Sequence, residues 1–155
     1  MSKLSFKKIA LVASLLCLPA TASFASVLNV GVGQEKNFSV SCKSGNFVGV
    51  VEGVVGRHYY TGKYVHTKRY KITRLNGQSG GNKANINLTS GQAPAATRSN
   101  TVNSPDSMIQ DGKWHDLRLT RSNMGVGNSR AEVYYQFIFD KSGTDPKCWS
   151  SSVYF

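Results

Sequence analysis

The chain has 155 residues and carries 19 lysines and arginines against 8 acids, a formal net charge of +11. Its length suits one domain with a core of its own. No segment beyond the N-terminus is apolar enough to cross a membrane as a helix, and no internal repeat is visible, which excludes helical membrane proteins and repeat arrays.

The first residues read as an export leader. Lys3, Lys7 and Lys8 form a positive start, Ile9 to Leu18 an apolar run of about ten residues, and Ser23 and Ala25 place small side chains before a cut at Ser26. A cut after Ala22 is the alternative. Leu16 before Cys17 argues against a lipid anchor. The division is therefore a signal peptide over 1–25 and one exported β domain over 26–155, periplasmic or secreted. Cys17 leaves with the leader, so Cys42 and Cys148 remain to form one disulfide in an oxidising compartment.

Period-two patterning then dominates. Leu28, Val30 and Val32 predict a strand, residues 33–37 a turn, and Phe38, Val40 and Cys42 a second strand. Phe47 to Val55 is a valine-rich run broken by Gly49 and Gly53, which fits a central strand with a bulge. Tyr70 and Ile72 alternate with Arg69, Lys71 and Thr73. After Leu75-Asn76-Gly77-Gln78, Ala84, Ile86 and Leu88 alternate with Lys83, Asn85 and Asn87. Asn-Gly tolerates positive φ, so these two runs predict a hairpin that gathers Arg69, Lys71, Thr73, Lys83, Asn85 and Asn87 on one outer face.

Residues 90–112 are poor in apolar side chains and read as a long connection. Trp114–Arg121 predicts a strand, residues 123–128 a glycine loop, and Arg130–Asp140 the longest strand, with Ala131, Val133, Tyr135, Phe137 and Phe139 on one face. A last strand runs from Cys148 to Phe155. Seven or eight strands without a helical period predict an all-β fold, an antiparallel β-sandwich with a small closed barrel as the alternative.

The charge has a location. Without the leader the chain holds 16 cations and 8 acids, and between Gly53 and Pro105 lie eight cations and no acid: Arg57, Lys63, Lys68, Arg69, Lys71, Arg74, Lys83 and Arg98. Tyr59, Tyr60, Tyr64 and Tyr70 interleave with them. Clustered cations steer polyanions, and tyrosines stack on bases or sugar rings. The expected ligand-binding residues are Arg57, Tyr59, Tyr60, Lys63, Tyr64, Lys68, Arg69, Lys71, Arg74 and Lys83. The expected partner is an anionic ligand or an acidic protein surface in the cell envelope or outside it: polysaccharide, lipopolysaccharide, nucleic acid or protein.

Catalytic patterns are sparse. No HExxH, CxxC or close carboxylate–histidine cluster accompanies His58 and His66. His115 and Asp116 are neighbours that point to opposite strand faces, so neither a metal nor another cofactor is expected. No Gly-x-Ser-x-Gly elbow occurs. Asp106, Asp111, Asp116, Glu132, Asp140 and Asp145 lie near turns or strand ends, where acids are common. The alternative class is a secreted toxin, a metal-independent ribonuclease using His58, His66 or His115 with Lys63, Lys68 or Arg69. A periplasmic inhibitor or immunity protein, or a pilus-type subunit, fits the same scaffold. The final Tyr154-Phe155 resembles the terminal aromatic of outer-membrane barrels and the penultimate tyrosine of chaperone–usher pilus subunits, over two residues. The short strands and the wide cysteine spacing depart from those patterns.

Overall fold

The computed structural model describes residues 25–93, 99–125 and 129–155. The predicted leader therefore lies outside the described residues except for Ala25, as does Arg98. Eleven strands and no helix form among the described residues. They are β1 (Ser26–Val27), β2 (Glu35–Ser44), β3 (Phe47–His58), β4 (Gly62–Arg74), β5 (Asn85–Ala93), β6 (Asn100–Asn103), β7 (His115–Asp116), β8 (Thr120–Met124), β9 (Arg130–Ile138), β10 (Lys147–Trp149) and β11 (Val153–Tyr154). One sheet runs β1-β11-β9-β5-β6 with β10 also on β9. The other runs β2-β3-β4-β7 with β8 also on β4. Every pairing is antiparallel except β1 with β11.

The inner faces of the two sheets meet in one core. Phe38 stacks on Tyr135 at 6.1 Å between ring centroids, and Phe47 on Phe139 at 5.1 Å. Gly49 is a glycine because a Cβ there would strike the Phe137 ring. Alternate residues of β9, from Ala131 to Phe137, and Phe139 just beyond it are fully buried, as their period predicts. The expected disulfide forms between Cys42 on β2 and Cys148 on β10, tying the edge of one sheet to the other.

Two turns set the five-stranded sheet. Ser44 pairs with Phe47 across Gly45-Asn46, and Gly45 takes φ 57°, the positive angle a two-residue hairpin requires at its first position. His58 pairs with Gly62 across Tyr59-Tyr60-Thr61, with Gly62 at φ 77°. Thus β4 follows β3 directly as a hairpin, and the basic segment forms its tip and return strand. The valine run does carry a bulge: the register slips between Glu52 and Gly53, which face Arg69 and Thr67, leaving Lys68 extra.

Six sequence expectations are corrected, the first being the strand count, eleven among the described residues against the expected seven or eight. β4 and β5 do not form a hairpin. β4 pairs with β3, β7 and β8, while β5 pairs with β9 and β6 in the other sheet. The connection crosses between sheets because Arg74 holds it, donating to the carbonyls of Gln110 (2.7 Å), Gly80 (2.5 Å) and Gly81 (3.2 Å). Asn85 and Asn87 are therefore on a different sheet from Arg69 and Lys71, and Lys83 lies just before β5. The predicted first strand shrinks to Ser26–Val27, since Leu28 to Val32 leaves the ladder. Among the described residues of 90–112, which leave out 94–98, the expected long connection holds regular structure: β5 extends to Ala93, β6 spans Asn100–Asn103, and Met108 bridges to Ala84. The 114–121 strand is broken at 117–119, and the last strand at 150–152.

Candidate functional site

The bulge decides which cations face solvent. In regular β-structure neighbours alternate faces, so Lys68 and Arg69 would point opposite ways. The extra residue breaks the alternation, and both are exposed. Lys71 follows two residues later on the outer face, between buried Tyr70 and Ile72. Leu117 and Leu119, between β7 and β8, are buried while Asp116 and Arg118 are exposed; Asp116 stands opposite Arg69.

Trp114 organises this group. Its indole, 36% exposed, lies 4.5 Å from the Arg69 guanidinium carbon and 4.9 Å from Lys71 Nζ. Glu52, across the strand, accepts from Arg69 Nε at 2.7 Å. Nη2 also lies 2.7 Å from the same carboxylate oxygen, so the guanidinium is fixed at one edge and stacked on its face. Among the described residues, Lys68, Lys71 and Arg118 have no carboxylate within ion-pair distance. A groove of about 680 Å³ runs beside the bulge, lined by Asn37, Ser39, Glu52, Lys68 and Arg69 over Phe38. Trp114 was not among the expected site residues. Its parity with Asp116 and Arg118, opposite to the leucines, is the signal that could have found it.

The ten expected residues divide among several places. Lys68, Arg69 and Lys71 are together. Tyr59 and Tyr60 sit at the β3–β4 tip, 78% and 89% exposed, edge to face at 4.9 Å. Tyr64 is buried, donates to Glu35 Oε1 at 2.7 Å, and stacks between His58 (4.5 Å) and His66 (5.0 Å). Burial, then the Glu35 carboxylate, raises its phenol pKa. Lys63 is 6% exposed and donates to the carbonyls of Ser129 (2.5 Å) and Phe155 (2.7 Å). Burial lowers its pKa, helped by Arg57 and Arg130 nearby. Arg74 is committed to the inter-sheet connection, and Lys83 lies at Asp140, whose Oδ2 accepts its backbone N–H at 2.8 Å. Arg57 lines a separate pocket with Lys63 and Arg130.

The histidines are apart as well. His115 pairs with Tyr70, four residues beyond His66 on β4, or about 13 Å along the strand. It bonds Asp111 Oδ1 at 2.8 Å, which holds the Asp111 carboxyl below its ordinary pKa. The Tyr64 ring stands between His58 and His66. Hence no two imidazoles flank one open space at general acid–base distance. Among the described residues no three His, Cys, Asp or Glu side chains cluster closely enough to hold a metal ion, and no helix is long and apolar enough to cross a membrane. No protein-family model, curated protein or solved structure matches the chain.

Proposed function

We propose that the protein is an exported β-sandwich that binds a negatively charged polymer on the outer face of its five-stranded sheet, without turnover. The observation that carries this reading is the Trp114 platform, where Arg69 and Lys71 stack on one indole beside Lys68. A cation held by stacking and one ion pair has little side-chain freedom left to lose, so an incoming sulfate, phosphate or carboxylate meets a preorganised donor. The disulfide suits an oxidising compartment, which supports export.

The test is retention on heparin and on single-stranded DNA resin. Arg69→Glu with Lys71→Glu should abolish retention on both and lower the thermal midpoint only modestly, because the Glu52 ion pair and the Trp114 contacts it breaks are at the surface. Undiminished retention refutes the reading. An acidic protein captured instead of polyanions at low salt, and lost in the same variant, would redirect it to a protein partner. The ribonuclease reading predicts RNA cleavage that disappears in His58→Ala, His66→Ala or His115→Ala.

A further inference from the structure

The opposite face of the molecule is built differently. On the six-stranded sheet, Ile86, Leu88, Tyr135 and Phe137 point into the core with no exposure, so the residues alternating with them face out. Register then sets Asn103, Asn87, Gln136 and Trp149 side by side across four strands. The adjacent row is Thr101, Thr89 and Tyr134. None of these seven side chains is charged; Lys147 and Glu132 lie at the margins, where Glu132 already accepts the hydroxyls of Ser152 and Tyr154.

Two features of this face call for a ligand of one kind. Trp149 is 57% exposed at the end of the amide row, an indole with no packing duty on its outer side. The amides offer donors and acceptors together: Asn87 Nδ2 donates to Gln136 Oε1 at 3.2 Å, which leaves the Gln136 amide N–H groups turned to other acceptors. We infer that this face is a second binding surface, for a neutral glycan chain. A pyranose presents an apolar C–H face, which stacks on an indole, and a rim of hydroxyls that donate and accept at once, which matches a row of carboxamides. Three inter-strand steps give the row a length of about 14 Å, room for roughly two or three sugar rings. The absence of charge selects against anionic sugars, which the Trp114 face would take.

Trp114 and Trp149 are the two tryptophans of the chain, so Trp114→Phe leaves Trp149 as the sole reporter. Its emission is followed while cello-, chito-, malto- and mannohexaose are added in about 1 M NaCl, where screening over about 3 Å silences the opposite face. The expected result is a saturable shift with one of these sugars, unaffected by salt, and about tenfold weaker in Gln136→Ala at an unchanged thermal midpoint. No saturable shift with any of the four, or equal binding by Gln136→Ala, overturns the inference and leaves the polyanion reading untouched. So does a dimer in sedimentation that Trp149→Ala dissociates, since the face would then be covered by a second copy.

Discussion

Removing the disulfide should lower stability by an amount set almost wholly by chain entropy. Cys42 and Cys148 are 106 residues apart, and closing a loop of about a hundred residues in the unfolded chain is worth about 4.7 kcal/mol at 25 °C. The unfolding entropy of a domain of roughly 130 residues is about 0.27 kcal/mol/K at its midpoint, so this loss corresponds to about 17 °C in Tm. The two sheets share a continuous core on either side of the bond, with Phe38 against Tyr135 and Phe47 against Phe139, so the fold itself should survive. Calorimetry of a Cys42→Ala, Cys148→Ala protein starting at Ser26 is the assay, with urea titration beside it. Tm should fall by about 15 °C, the near-ultraviolet circular dichroism should stay native in the cold, and the urea m-value should rise as the freed chain expands. A fall of less than about 5 °C with an unchanged m-value would refute the loop-entropy account.

Two further outcomes concern buried polar groups. Lys63→Met removes the donor to the Ser129 carbonyl while Phe155 O keeps its bond from Ala131 N–H; with relief of the Arg57 and Arg130 repulsion, urea unfolding should show a loss of about 1–2 kcal/mol, and a gain in stability would contradict the anchoring role. In alkali, Tyr135, Tyr70 and Tyr64 all have folded pKa values raised above 10.0, chiefly by burial. Their contribution is complete below that pH and is lost as pH rises through the raised values. Lys63 has the opposite sign: its lowered pKa adds stability as pH climbs toward 10.5. With three tyrosines against one lysine, Tm measured from about pH 8 to about pH 11 should hold or rise slightly and then fall above about pH 10. A flat profile across that window would mean the phenols are not buried.

Much of the fold could be read from residue order, for identifiable reasons. β9 carries four apolar residues at period two, Phe139 continues the period just past its end, and all five are fully buried. Gly53 inside a valine run marked a bulge, and Gly53 sits at the register slip, where a Cβ would strike the His66 carbonyl. Period two says which face of a strand is buried and is silent about its neighbour. That is why Tyr70–Ile72 and Ala84–Leu88, each regular and joined by Asn-Gly, were paired with each other. What separates them is non-local: Arg74 reaches Gln110, and buried Gln110 reaches the carbonyls of Gly81 and Asp140. The charge cluster was legible as composition, whereas its division was not. Lys63 shares inward parity with Val65 and Thr67, a hint that it leaves the surface, but its acceptors come from residues 66 and 92 positions away. Trp114 was hidden because its cationic partners belong to another strand.

On the proposed reading, Arg69 and Lys71 on Trp114 and the neighbouring Lys68, exposed by the bulge, make one anion-binding surface. The most direct measurement is the salt dependence of affinity for a single-stranded DNA oligomer, comparing the wild-type protein with Lys68→Glu/Arg69→Glu/Lys71→Glu. Each cation that neutralises a phosphate contributes about −0.7 to the slope of log K against log salt, so three predict roughly −2 for the wild-type protein and a slope near zero, with affinity down at least about a hundredfold, for the variant. Equal slopes and equal affinities in the two proteins would contradict the account.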